Sequence, residues 1–360
     1  MAETSSIEWT DATWNPIVGC SVISPGCKRC YAMKLAGTRM KNHFSRAGLT
    51  EDTKAGPVWT GEVRFINQWL TQPLHWRRPR RIFVCAHADL FHERVPDAWI
   101  DLVFAVMGLA SHHDFQVLTK RSARMLAYFK GRWAERVMEH LEALKPSSLW
   151  NGNVFQARHE LSTKGFLPNV WLGVSAEDQA RLDERWPDLA QSPAAKRFLS
   201  LEPLLEAVDP TRISTMRFRG AEILNALTGE LSGLFGDPCG ARLPRVDLVI
   251  VGGESGRDAR PMHPDWARAI RDACAAAGVP FLFKQWGAWA PVRYDASDRP
   301  TFEPDIAIAR NGAIDGTKPF TLPRTGGDRP RWAQMALVGK KAAGRMLDGV
   351  IHDGLMEIAA

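Results

Sequence analysis

Val246-Asp-Leu-Val-Ile-Val251 runs directly into Gly252-Gly253-Glu254-Ser255-Gly256. A near-continuous apolar run rich in β-branched residues, ended by glycines, reads as a strand buried on both faces followed by a tight turn. The same unit recurs along the chain. Arg81-Ile-Phe-Val-Cys85 leads into Ala86-His87-Ala88-Asp89, and Phe115-Gln-Val-Leu118 into Thr119-Lys120-Arg121. Val170-Trp-Leu-Gly-Val174 leads into Ser175-Ala176-Glu177-Asp178, Arg197-Phe-Leu-Ser-Leu201 into Glu202-Pro203, and Val279-Pro-Phe-Leu-Phe283 into Lys284-Gln285-Trp286. Helical stretches stand between them. After Pro96-Asp97, for example, Trp99, Ile100, Val103, Phe104 and Met107 fall on one helical face.

Six such units, with one brief strand before them at 7–9 or 14–18, predict an α/β fold: a complete or partial TIM-type barrel of parallel strands. The expected barrel covers residues 1–290. It carries insertions at about 131–169, a basic amphipathic helix and a loop, and at about 210–243. Residues 291–360 read as a C-terminal extension with a helix over about 331–347. Residues 31–46 read as a helix with Lys34, Arg39, Lys41 and Arg46 on its polar faces. A polar cluster follows each strand, where α/β barrels and open sheets place their sites. Ser122 and Asp178 in these clusters are also good helix caps.

Composition sets outer limits. Of the 360 residues, 45% are hydrophobic and 24% charged, the balance of an ordinary globular protein. Six cysteines in this length do not make a disulfide framework. Met1-Ala-Glu-Thr-Ser-Ser6 has no signal-peptide character, and the longest apolar patch contains Asp101 and falls short of the ~20 residues that span a bilayer. A reducing cytoplasm is the expected compartment, with no membrane partner. The net charge of +6 permits a nucleic-acid partner without requiring one, and the 14 tryptophans could pack or stack on bases.

The chemistry concentrates in Gly19-Cys20-Ser-Val-Ile-Ser-Pro25-Gly26-Cys27-Lys-Arg-Cys30-Tyr31-Ala32, three cysteines spaced C-x6-C-x2-C. A short loop bent at its glycines and proline can point three thiolates at one centre. Three protein ligands leave one coordination position open. Three readings stand: zinc completed by a distant ligand such as His43 or Cys85, incidental thiols, or an iron–sulfur cluster.

The block Trp14-Asn-Pro-x-x-Gly-Cys20, continued by Ser24-Pro-Gly-Cys27-x-x-Cys30-Tyr-Ala, resembles the start of a phage-associated family labelled a domain of unknown function. Its members are regarded as divergent relatives of radical S-adenosylmethionine enzymes. The resemblance continues through Asp89-Leu-Phe-His92, Leu118-Thr-Lys-Arg121, Trp171-Leu-Gly-Val-Ser175, Ser200-Leu-Glu-Pro-Leu204, Val251-Gly-Gly-Glu-Ser-Gly256 and Phe283-Lys-Gln-Trp286. It implies a [4Fe–4S] cluster on Cys20, Cys27 and Cys30, with S-adenosylmethionine on the fourth iron and a 5′-deoxyadenosyl radical as its product. It also implies an electron donor such as flavodoxin or ferredoxin. The first gap here is six residues rather than the superfamily's usual three. Arg29 stands where an aromatic residue commonly precedes the last cysteine, with Tyr31 following instead.

Strand order then assigns roles as expectations of that resemblance. Asp89 would meet the cofactor's ammonium, Ser175 and Glu177 its ribose and carboxylate, and Gly252, Gly253 and Glu254 its adenine. Lys120, Arg121 and Lys284 would bring positive charge to an anionic substrate, with Glu202 beside them among the catalytic candidates. Cys85 would be a hydrogen-atom donor or simply a small buried apolar residue. Arg77, Arg78, Arg80 and Arg81, after His75-Trp76, form a basic patch beside a tryptophan that suits DNA or RNA, and Arg121 is grouped with them. The leading expectation is a radical enzyme that repairs or modifies nucleic acid. Beside it stand a zinc-containing nucleic-acid-binding protein and a radical enzyme acting on a peptide or small metabolite. An unidentified partner protein could complete the site.

Overall fold

The computed structural model describes residues 4–145, 152–216, 222–234, 238–295, 297, 299–316 and 332–354. Its main sheet has seven strands: β1 (Ala12–Trp14), β2 (Arg81–Val84), β3 (Asp114–Thr119), β4 (Val170–Ser175), β5 (Lys196–Leu201), β6 (Leu248–Gly252) and β7 (Phe281–Gln285). They lie side by side in that order. The paired registers β1–β2, β2–β3, β3–β4 and β6–β7 are parallel. An order that follows the sequence without reversal, joined by right-handed crossovers, puts successive helices on one face and curls the sheet toward a barrel. Doubly wound sheets reverse their order instead. β1 and β7 remain as the two edges, so the barrel is partial. All six strand units expected from the sequence are present, within two residues of their predicted starts.

Two compact units divide the chain: Met1–Ser175 with Arg185–Phe198 and Met356–Ala360, and Ala176–Glu184 with Leu199–Leu355.

In the first unit, Trp14 packs on Phe115 and Trp9 sits between Phe83 and Phe198. The helix Asp97–Leu109 buries Ile100, Val103, Phe104 and Met107, the stripe its sequence spacing predicts. The stretch 131–169 holds two helices rather than one, Trp133–Leu144 and Gly152–Thr163. The helix expected over 31–46 is shorter, ending as α1 (Tyr31–Gly37). Thr38 leaves helical geometry, and Gly37 is pressed against Pro57, where a Cβ would stand 2.1 Å from the proline ring. Arg46, expected on a polar helix face, is 2% exposed in the turns that follow.

In the second unit the insertion at 210–243 is a four-stranded antiparallel sheet built from Ile213–Thr215, Glu222–Leu224, Glu230–Gly233 and Pro238–Arg242. The expected helix at 331–347 is corrected: from 332 onward it is the strand Trp332–Leu337 and a single helical turn, Lys340–Ala343. That strand pairs on one side with Trp289–Pro291 and on the other with Ile306–Ala309, so its backbone is satisfied in a sheet. The outer edge of β7 is lined by the chain's own later segment. Phe283 N donates to His352 O at 3.0 Å, and Gly354 N to Phe281 O at 3.1 Å.

Candidate metal centre

The cysteine loop begins after Gly19, where φ is +94° and a Cβ would stand 2.2 Å from the Glu62 carbonyl. Only glycine meets both demands. A 3-10 turn, Pro25–Cys27, then folds the loop back, with Cys27 N bonded to Ser24 O and Cys30 N to Cys27 O. All three cysteines are half-buried free thiols. Burial pushes the Cys20 thiol up to about 12. Arg121 pulls it down, while Asp89, Cys30 and Cys27 push it further up. Burial also raises Cys30, against hydrogen bonds from the Met33 and Ala32 amides that lower it.

Each sulfur also meets a hydrogen-bonding group. Arg121 Nη1 is 3.6 Å from Cys20 Sγ, the Ser24 hydroxyl is 3.6 Å from Cys27 Sγ, and Cys30 has its two backbone amides. The guanidinium at Cys20 and the amides at Cys30 favour thiolate over thiol, as does any bound soft metal, whereas between Ser24 and Cys27 either group can donate. Among the described residues no set of three or more His, Cys, Asp and Glu side chains is gathered closely enough to hold one metal ion. In a cubane cluster each thiolate binds its own iron, so the sulfurs stand further apart than the ligands of a single ion.

Behind the loop lies a network drawn from the ends of β2 and β3. Val84 is paired with Val117, which brings 85–89 beside 119–121. Asp89 Oδ1 accepts from Phe91 N at 3.0 Å and Thr119 Oγ1 at 2.7 Å. Its Oδ2 accepts from Lys120 N at 3.0 Å and Arg121 Nη1 at 3.1 Å. Those four bonds use the carboxylate's acceptor capacity. Asp89, expected to meet a cofactor ammonium, is here the buried anchor of Arg121. The grouping of Arg121 with the surface arginines is corrected. Arg121 is 6% exposed, holds Glu93 through Nε at 2.9 Å and Ser21 Oγ through Nη2 at 2.7 Å, and is not a surface contact for nucleic acid. Burial opposes its charge, but Asp89, Cys20 and Glu93 together hold its proton more tightly than usual.

Lys120 Nζ donates to Ser175 Oγ at 2.8 Å, joining two expected site residues at the ends of β3 and β4. Cys85 follows β2 directly, 2% exposed, with φ +56° and its thiol pushed up to about 12 by burial. A non-glycine residue at that φ just past a strand is sparsely populated backbone. Sequence reading missed a second pair here. Arg46 Nη2 donates to His87 Nδ1 at 2.7 Å, so His87 is the acceptor and neutral, and burial with the Arg46 charge lowers it to about 4.

The remaining expected residues lie in the second unit. Lys284 and Glu202 form an ion pair with Nζ 3.2 Å from Oε1, and Ser200 Oγ is 3.3 Å from Glu202 Oε2. Glu254 is bound by Arg260, whose Nε and backbone N are each 2.8 Å from Oε2. Gly252 and Gly253, expected to open backbone to adenine, are needed for internal approach. A Cβ on Gly252 would stand 2.4 Å from Glu202 Oε1, and one on Gly253 2.0 Å from the Trp286 carbonyl. Glu177 is fully buried, with its carbonyl accepting from Leu205 N, while Asp178 caps the helix Gln179–Gln191 through Arg181 N at 2.8 Å. Ser122, the other expected cap, instead donates to Asp188 Oδ2 at 2.7 Å within the first unit.

The basic patch lies at the opposite end of its strand from the cysteine loop. Arg77 and Arg78 are exposed, and Arg80 lies over the Trp76 ring at 5.4 Å, while Arg81 opens β2 and pairs with Asp11 at 3.1 Å. The cysteine network meets β2 at its other end, roughly 13 Å on at ~3.3 Å per residue.

The fold and this loop define a partial-barrel α/β protein with a three-cysteine loop at its strand ends. The chain belongs to the family described as protein of unknown function DUF5131, which matches residues 4–356. No curated protein and no solved structure matches it.

Proposed function

We propose that the chain is a radical S-adenosylmethionine enzyme whose [4Fe–4S] cluster is held by Cys20, Cys27 and Cys30. The observation that carries this is the donor set: three soft ligands in one loop, each with a hydrogen-bonding group at its sulfur. When bound, such a cluster supplies one electron to the cofactor's sulfonium. This chain's residues do the rest. Asp89, Thr119 and Ser21 fix Arg121 beside Cys20, and Lys120, held at Ser175, offers a cation to the anionic part of the cofactor. Nucleic acid is the proposed substrate class, with Arg77 and Arg78 as a remote phosphate grip outside the reacting site.

The test is anaerobic purification with iron and sulfide reconstitution, then reduction and addition of S-adenosylmethionine. About four irons per chain, lost in the Cys20/Cys27/Cys30 triple alanine variant, together with 5′-deoxyadenosine, is the expected result. Zinc in place of iron, with the cofactor intact, would overturn the proposal in favour of a zinc-containing binding protein. Binding of oligonucleotides at low salt that weakens as salt rises tests the substrate class. No binding there would move the substrate to a peptide or small metabolite.

A further inference from the structure

Arg121 is buried, and its nitrogens are distributed with a purpose that stability alone does not need. Nη1 is shared between Asp89 Oδ2 at 3.1 Å and Cys20 Sγ at 3.6 Å, Nη2 is on Ser21 Oγ at 2.7 Å, and Nε is on Glu93 at 2.9 Å. Ser21 is itself steadied by His92, its Oγ 3.0 Å from Nε2. Asp89 alone would suffice to pair a buried guanidinium. The further contacts orient the fork so that one N–H faces the first cysteine's sulfur. They draw on 21, 89, 92 and 93, residues from two separate parts of the chain.

We propose that Arg121 is the positioning residue that sets the reduction potential of a cluster held by the three cysteines, an inference that rests on the reading of the loop given above. A cation and a hydrogen bond at a ligating sulfur stabilise the more negative, reduced state, because reduction adds charge to the sulfurs and irons. The flanking carboxylates temper the effect. Asp89 is buried beside Arg121, whereas the Glu93 side chain is 60% exposed and screened by water. Cys20 is therefore inequivalent to Cys27 and Cys30, which meet the Ser24 hydroxyl and two backbone amides but no guanidinium among the contacts described above.

The experiment is a redox titration of the reconstituted full-length chain followed by EPR, comparing wild type, Arg121→Met and Arg121→Lys. Arg121→Met removes charge and hydrogen bond. It is expected to lower the midpoint by an amount equal to about tenfold in the reduction equilibrium, which is about 59 mV for a one-electron couple. Arg121→Lys keeps a cation for Asp89 and Glu93 but has one nitrogen in place of a fork, and is expected to lower the equilibrium by about threefold. A midpoint unchanged in both variants overturns the inference. So does an unchanged Arg121→Lys midpoint where Arg121→Met fails to fold. Wild type that takes up no iron overturns the cluster reading itself, and the inference falls with it.

Discussion

Arg121 and Asp89 form a buried ion pair, Nη1 to Oδ2 at 3.1 Å, with side chains 3% and 7% exposed. Thirty-two residues separate them in sequence, yet parallel pairing of β2 with β3 sets their strand ends side by side. Breaking a buried pair from one side strands the other charge. Asp89→Ala is expected to cost about 3 kcal/mol of stability, measured by urea unfolding of the metal-free chain. A cost below about 1 kcal/mol would show that water or Glu93 compensates.

Gly253 tests whether the Gly-Gly turn serves packing. Its α-hydrogen faces the Trp286 carbonyl, and a methyl group would sit 2.0 Å from that oxygen. Gly253→Ala must displace the turn after β7 and is expected to cost about 3 kcal/mol, seen as a lowered Tm. An unchanged Tm would mean that the turn yields freely.

Acid should loosen the fold before its carboxylates titrate. His87, His113 and His263 are each lowered to about 4, mainly by burial. Their folded values lie below the unfolded one, near 6.5, so the unfolded chain binds more protons between the two. Stability is then full above about 6.5 and falls as pH drops toward 4. His263 has a mechanical reason as well, since its Nδ1 accepts from Asp265 N at the start of the helix Pro264–Ala276. Tm measured from pH 7.5 to 4.5 should fall through that window, with a smaller fall in His263→Asn, which keeps a capping oxygen.

Arg77 and Arg78 are expected to be separable from the chemistry. The double Glu variant should lose affinity for any nucleic acid more than tenfold at low salt while iron content and cofactor cleavage stay within about twofold of wild type. Loss of cleavage would place the patch within the reacting site and contradict its position at the start of β2.

The strands were legible because burial on both faces demands apolar runs, and such runs are visible without knowing what they touch. Charge partners were not. Arg121 and Arg77 look alike in sequence, but one follows β3 beside Asp89 and the other precedes β2 in solvent, and only strand direction and register distinguish them. Arg46 misled for a similar reason. Its spacing from Arg39 suits a helix, whereas packing of Gly37 on Pro57 stops that helix well short of it. The strand at Trp332–Leu337 reads as helix in sequence because its apolar residues carry no clean alternation, and the neighbours that pair with it lie more than twenty residues earlier.

A parallel sheet that stops short of closure leaves its last strand with a bare row of donors and acceptors. Here 352–354 occupies that row through Phe283 N and the Phe281 carbonyl. The cover works like a sleeve: while it is seated, another molecule has no template on β7 to extend. A chain cut before 352 would keep its seven strands but acquire an adhesive flank, and its fate would be decided by self-association rather than by unfolding.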